Sequence, residues 1–305
     1  MSRVRIGTRR SPLALWQAHH VRDLLLANDP GLTVELVEIV TQGDRILDRP
    51  LAQVGGKGLF VKEIEDRLQN GEVDLAVHSL KDLPAFLPEG LVLAAIPVRE
   101  DARDGLISPR HRTLENLPQG ARVGTSSLRR GCQLKALRPD LEIVSIRGNV
   151  ETRMRKVETD GLDAVVLALA GLNRLGLAQH ATDALGPPRM LPAVGQGALA
   201  LEVRAGDAAL TERVGALDHA ASHAAIDAER AFLAKLEGNC QVPLAAFAQV
   251  AAGQLVLHAL VGSVDGQTLL RTERRGLVAD AVALGRAAAE TQLAQGAAAL
   301  LAQAR

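Results

Sequence analysis

A cysteine, an aspartate and a set of arginines, each placed where a predicted element ends, are the residues of this chain best equipped for chemistry. Cys240 stands in EGNCQVP, on a loop after a helix and between Gly and Pro, where a thiol is open to act as a nucleophile. A small buried hydrophobe is the commoner role for a cysteine, and Cys132, inside a helical stretch, reads that way. Asp82 directly follows Lys81 and precedes a Leu-Pro turn. A carboxylate beside a cation stays ionised, which suits Asp82 to steadying a developing positive charge or accepting a proton rather than donating one. In open α/β sheets ligands gather beyond the carboxyl ends of the strands. The predicted strand ends deliver Thr8, Arg9 and Ser11, then His78, Ser79, Lys81 and Asp82. Farther along they deliver Thr125, Ser126, Ser127, Arg129 and Arg130, then Arg147, Gly148 and Asn149. Backbone N–H groups opening the helix after GTSS favour an anion, and Arg129, Arg130 and Arg147 add planar forks, so the second set reads as a carboxylate trap that Arg153 and Arg174 extend. Any one of these arginines alone would be an ordinary surface charge. Their convergence points to a polyanionic ligand, and Asp82 is the one carboxylate set among them.

Three other patterns carry less. GGKGLF lacks the first Gly of a phosphate-binding P-loop, where Leu51 stands, and has Gly58 where Ser or Thr is required. GQGALA, at 195–200, matches the dinucleotide fingerprint but follows a Pro-containing loop instead of a clear strand. His219, His223 and Asp227 share a helical face, yet a solvated face explains them better than a metal does.

The elements that must position these residues follow from hydropathy. VRIG is a short strand; Ser11 and Pro12 open a helix to about Asn28, which Pro30 and Gly31 stop ahead of the strand LTVELVEIV. GLFVKEIEDRLQNG is a helix, DLAVHS a strand, and LVLAAIPV another after a turn-rich DLPAFLPEG. From about residue 121 the alternation restarts: strand ARVG, helix SSLRRGCQLKAL, strand LEIVSI, helix NVETRMRKVETDG, strand LDAVVLAL, helix AGLNRLG. Strands alternating with helices imply parallel sheets covered on both faces, hence two α/β lobes. GPPRMLPAVGQGA, punctuated by Pro and Gly, reads as a hinge, and beyond Leu217 an Ala-rich helix, a hairpin-like segment and a closing Ala-rich helix read as a small α+β domain.

Composition narrows the function. The 305 residues are 47% hydrophobic and carry 35 basic and 35 acidic side chains, so no global field draws the chain to nucleic acid or anionic lipid. Aromatics are only 2%, too few to stack bases. Two cysteines exclude a secreted disulfide framework, and no apolar run approaches the roughly 20 residues that span a bilayer, so a soluble cytoplasmic protein is expected. There are 29 Arg against 6 Lys. Arg grips carboxylates as a fork, although an Arg- and Ala-rich genome would produce the same excess.

Taken together, TRRSPLALWQA, VTQGDRILD, VGGKGLFVKEIE, DLAVHSLKDLP, VGTSSLRRGCQL, SIRGNVETR, LALAGLNRLG, LPAVGQGALALE and AERAFLAKLEGNCQVP resemble, in order and over nearly the whole chain, the porphobilinogen deaminase (hydroxymethylbilane synthase) family. The resemblance implies two lobes like those of periplasmic binding proteins, with parallel-rich sheets, plus a small α+β C-terminal domain. The expected domains are 1–97 with 198–216, then 98–197, then 217–305. It implies a monomeric transferase of tetrapyrrole and heme biosynthesis that deaminates four porphobilinogen molecules and joins them head to tail, releasing hydroxymethylbilane by hydrolysis. Cys240 would hold a dipyrromethane cofactor through a thioether. Asp82 would contact pyrrole N–H groups, stabilise the azafulvenium cation left by ammonia and assist proton loss. Lys81, Asp82, Thr125, Ser126, Ser127, Arg129, Arg130, Arg147 and Gly148 would hold the cofactor. Arg9, Ser11, Lys57, Phe60, Arg147, Arg153, Arg174 and Gln196 would bind substrate, with neither metal, nucleic acid nor membrane involved. A solute-binding or sensory protein would share the arginine-lined lobes but has no use for Cys240 and Asp82, and an acyl- or phosphate-transfer enzyme built on GTSS lacks a base near Ser126 or Ser127.

Overall fold

Apolar strands buried on both faces need helices above and below them, and in the computed structural model, which describes residues 3–45, 58–236 and 242–303, both main sheets are covered this way. The chain forms two compact units, Met1–Glu100 with Ala198–His223 and Asp101–Gly197 with Ala224–Arg305.

The first unit is built on β1 (Arg3–Arg9), β2 (Thr33–Ile39), β3 (Leu75–Ser79), β4 (Leu91–Ala95) and β10 (Leu199–Arg204), in the order β2-β1-β3-β10-β4. β1 pairs in parallel with β2 and β3, while β10 runs antiparallel to both β3 and β4. Four strands therefore share one direction and the fifth, supplied from far along the chain, is reversed. α1 (Pro12–Asn28) starts as the sequence predicts, with the Ser11 hydroxyl accepting from the Ala14 N–H and Pro12 in its first turn. Ala18, Val21 and Leu25 of α1, with Leu210 and Val214 of α7 (Ala208–Gly215), bury one face of the sheet against Val4, Ile6, Val77 and Leu201. Ile64 and Leu68 of α3 (Lys62–Gln69) cover the other, over Ile39 and Ala76. A four-residue helix, α2 (Gln42–Arg45), follows β2.

The second unit repeats the plan. β5 (Asp104–Ile107), β6 (Arg122–Gly124), β7 (Glu142–Val144), β8 (Ala164–Ala168) and β9 (Asp183–Leu185) lie in the order β7-β6-β8-β5-β9, with β5 the reversed strand. Alternate residues of β8 feed opposite cores. Ala164 and Val166 join Leu134 of α4 (Leu128–Leu137), whereas Val165 and Leu167 join Val157 of α5 (Val150–Thr159) and Leu172 of α6 (Leu169–Arg174). The C-terminal part of this unit holds α8 (Ala220–Lys235), which begins in the first unit, and an antiparallel meander, β11 (Leu244–Ala251), β12 (Gln254–Gly262) and β13 (Leu269–Leu277). The hairpin-like segment thus contains three strands, not two. α9 (Ala281–Ala294) crosses α8 at Gly285, where an added Cβ would lie 2.2 Å from the Ala228 carbonyl oxygen, so the Ala- and Gly-rich sequence serves close helix packing. α10 (Ala297–Gln303) closes the chain. Among the described residues no helix is long and apolar enough to cross a membrane.

Candidate functional site

In the first unit the strand-end residues converge. Arg9, Ser11, Phe60 and Asp82 line one cavity of about 60 Å³ with Gln17, His78 and Ser79. Asp82 closes a 3-10 turn, Leu80–Asp82, directly after β3. That turn is fixed from behind: the Leu80 N–H donates to the Ala198 carbonyl at 3.0 Å, Gln17 Nε2 donates to Ser79 Oγ at 2.8 Å, and Leu80 and Leu83 are buried. The Asp82 carboxylate itself is exposed and makes no hydrogen bond or ion pair among the described residues. Arg9 is more committed. Its guanidinium holds Asp44 and sits 4.2 Å above the Phe60 ring centroid, a cation–π stack. Burial raises the Asp44 pKa, but the hydrogen bond and charge of Arg9, with the Thr41 donors, outweigh it and leave the carboxyl below its ordinary value. Gly43 is required here, because a Cβ would come within 2.2 Å of the Phe60 ring. The Ser11 hydroxyl caps α1, and Lys81 is half-buried on the turn.

In the second unit the predicted trap is partly closed from within. Arg129 and Arg130 are only 4% and 6% exposed, and both forks grip Asp104 on β5, at 2.7 and 3.2 Å from Arg129 and 2.7 and 3.0 Å from Arg130. Leu191 and Val166 carbonyls take further donors. Asp82 is therefore not the one carboxylate among the cations. Burial works against the charge on Asp104, yet the two guanidiniums overcome it and hold its carboxyl well below the usual range. Gln196 belongs to this network, donating to Asp104 at 2.9 Å and to the Ala102 carbonyl at 2.6 Å. Its neighbour Gly197 accepts from Arg174, which is also buried. GQGALA is thus a turn leading into β10, without the strand–turn–helix context of a nucleotide fingerprint.

Thr125, Ser126 and Ser127 fix the loop opening α4. The Ser127 N–H donates to Thr125 Oγ1, Ser127 Oγ caps Arg130, and Ser126 Oγ binds the 145–146 loop through Ser145 and the Ile146 N–H. That loop carries Arg147 and Gly148, the latter at φ +115° with a Cβ position 2.6 Å from Thr152 Cγ2, just before Asn149 caps α5. Arg147 differs from Arg129 and Arg130. It is half-buried, and its buried Nη1 atom has no hydrogen-bond partner among the described residues. A guanidinium nitrogen withdrawn from water without an acceptor fits a ligand carboxylate. Arg153, on α5, is half-buried as well. Cys240 and Lys57 lie outside the described residues.

The remaining motifs take structural roles. Cys132 is buried against Leu191, Ala245 and Leu260, and burial pushes its thiol up to about 11. In the first unit His223 pairs with Asp218 at 2.7 Å and His219 with Ser222 at 2.9 Å, while Asp218 and Ser222 also accept from the Ile96 and Arg99 N–H groups. These side chains tie the stretch after β4 to the start of α8. Sequence reasoning missed Asp104, Glu65 and Glu202. Asp104 sits on the reversed strand β5, and replacing it with Asn should leave two buried guanidiniums without a counter-charge, at a cost of about 3 to 5 kcal/mol. Its folded pKa is depressed, so the stability it gives is present above the ordinary carboxylate range and lost in acid. Denaturant unfolding at neutral pH checks this; a loss under ~1 kcal/mol would contradict it.

Two family models match the sequence: "Porphobilinogen deaminase, dipyromethane cofactor binding domain" over residues 4–212 and "Porphobilinogen deaminase, C-terminal domain" over 223–294. The chain is 56% identical over 301 residues to porphobilinogen deaminase of Syntrophotalea carbinolica, covering 99% of this chain and 96% of that one. It is 55% identical over 299 residues to that of Trichlorobacter lovleyi, covering 98% and 96%. Among solved structures, a nutrient binding protein from Burkholderia cenocepacia bound to methionine aligns at TM-score 0.43 and 15% identity over 69% of this chain and 89% of that chain.

Proposed function

The chain belongs to the porphobilinogen deaminase family, and we propose that Cys240, Asp82 and the cations around Arg147 carry out its reaction. The enzyme condenses porphobilinogen into hydroxymethylbilane on a dipyrromethane cofactor, as a transferase of tetrapyrrole and heme biosynthesis. The single observation behind this reading is that family match over nearly the full length, at 56% identity. The orphaned Arg147 Nη1, the left-handed Gly148 loop and the serine-rich start of α4 make a donor set suited to a cofactor bearing several carboxylates. When bound, the dipyrromethane would supply the free pyrrole carbon to which the first unit is joined and from which the chain then grows.

The protein's own residues would then divide the work. Cys240 tethers the cofactor. Arg147, Gly148, Lys81, Thr125, Ser126 and Ser127 hold its acetate and propionate groups, and Arg9, Ser11, Lys57, Phe60, Arg153, Arg174 and Gln196 serve the substrate. Arg129 and Arg130 act mainly through Asp104: two guanidiniums and one carboxylate leave one net positive charge beneath the anion-binding loops. Asp82, exposed at the end of its turn, would face the pyrrole N–H, stabilise positive charge as ammonia leaves, and accept the proton released on coupling. Each pyrrole adds two carboxylates, so the cradle must neutralise a charge that grows with the chain. We further infer three domains, 1–97 with 198–216, 98–197 and 217–305, and a monomer working in the cytoplasm without nucleic acid. A charge balance of 35 against 35 and 2% aromatic residues support the last point.

Given porphobilinogen, the protein should release hydroxymethylbilane. Arg147→Lys keeps the charge but loses the fork, so elongation should slow roughly ten- to a hundredfold, with shorter enzyme-bound intermediates accumulating in intact mass spectra. Arg286→Lys, on α9, should behave as wild type. Normal elongation by Arg147→Lys would reduce this residue to a diffuse charge.

A further inference from the structure

A second group of ionisable side chains reaches the Asp82 cavity through His78, and the proposed reaction does not use it. His78 on β3 lines the same cavity as Asp82, four residues upstream, and is buried. Its Nε2 stands 3.1 Å from Oε2 of Glu202 on β10, a side chain with no solvent exposure. Register explains the pair: Glu202 is opposite Ala76 and Ala200 opposite His78, so the two side chains share the sheet face that α3 covers. Glu65 of α3, also buried, interacts with both. Glu202 Oε1 and Glu65 Oε1 have no hydrogen-bond partner among the described residues. Two bare carboxylate oxygens in one buried cluster are costly to keep, and protons relieve that cost.

We propose that His78 is a positioning residue for Asp82, held in place by the buried carboxylates of Glu202 and Glu65. With Glu65 protonated, the buried cluster carries one negative charge fewer, and the strand end leading to Ser79 and the Leu80–Asp82 turn is fixed. Ionising Glu65 adds an uncompensated negative charge beside the imidazole and loosens that end. Burial first, and then the like charge of Glu202, push Glu65 up to about 7, with His78 acting in the opposite direction. Asp66 on the same helix adds to the negative field. The surrounding cations are engaged elsewhere: Arg5 and Arg204 by Asp74, Arg9 by Asp44 and Arg67 by Glu72. Lys62 and Glu63 on α3 and Lys81 on the turn complete the charged groups of these elements, and β4 contributes none. Arg9, the carboxylate-binding arginine that shares this cavity, is already held by Asp44, so the cluster's proton should be felt in kcat and not in KM.

The inference rests on the role given to Asp82, and the test separates the two. The holoenzymes of wild type, Glu65→Gln, His78→Gln and Asp82→Asn are compared in kcat, KM and Tm from pH 6 to 9. Glu65→Gln keeps the shape of a protonated Glu65 and cannot ionise. Its kcat relative to wild type should rise about three- to tenfold as pH passes through 7, with KM within twofold. His78→Gln should lower kcat at every pH and flatten the step. Because the folded pKa of Glu65 lies above its ordinary 4.5, wild type should also lose stability relative to Glu65→Gln as pH rises from 4.5 to about 7, a range covered by extending the Tm series into acid. A flat kcat ratio, a Tm gap independent of pH, or KM and kcat changing together with Tm overturns the proposal. If Asp82→Asn stays active, the role of Asp82 itself is wrong; if Asp82→Asn is crippled while the ratio is flat, only the positioning role fails.

Discussion

Cys240→Ser should be purified without the mass excess of two linked porphobilinogen-derived units that the wild-type protein carries, and should make no detectable bilane. A thiolate attacks an electrophilic pyrrole methylene carbon readily at neutral pH, whereas a serine hydroxyl stays protonated without an adjacent base. The second cysteine provides an internal control. Cys132 is buried in the contact between α4 and the β11–β13 sheet, its thiol pushed up to about 11, so it neither meets substrate nor ionises. Cys132→Ala should therefore keep the full mass excess while losing some stability through the small cavity it leaves. Intact-mass spectrometry of both variants decides the matter, and an unmodified mass in active wild-type enzyme would remove Cys240 from the mechanism.

Asp82→Asn should fold, retain the cofactor mass and lose turnover by about 10² to 10⁴, the range typical of a positioned proton-transfer group. The separation between folding and catalysis follows from its surroundings. The turn is held by the Leu80 N–H on Ala198, by Gln17 on Ser79 and by buried Leu80 and Leu83, none of which involves the Asp82 side chain. An amide there has the same shape but can neither offset positive charge nor take a proton. Turnover assays, thermal melts and intact masses of the variant measure these separately. Activity within a few-fold of wild type would exclude Asp82 from the chemistry.

Much of this was readable in the residues because local pattern and tertiary role coincide. Ser11-Pro12 had to begin a helix, DLAVHS had to be a buried strand, and Asp82 was conspicuous because a charge follows that strand directly. Asp104 was not conspicuous. It opens the four-residue strand β5, whose antiparallel place between β8 and β9 has no local signature, and its meaning arises only when α4 brings two arginines onto it. His78 and Glu202 are 124 positions apart and meet through β10, a partner that no periodicity assigns to β3. The second segment of the first unit, Ala198–His223, is one that hydropathy alone would have left as the tail of the second.

The reversed strand β10 also bears on how the chain is made. Among the described strands β4 bonds to β10 alone, and β3 needs β10 on one side. When the first hundred residues have left a ribosome, the strand that joins these two is still about 100 codons away, roughly 5 to 20 s at ordinary elongation rates. During that interval β1, β2 and β3 can pair, while the apolar edge of β3 and the whole of β4, LVLAA, remain open to other chains. The first unit is thus completed only after most of the second has been synthesised, and its nascent N-terminal portion is a natural client for whatever shields exposed strands in the cell.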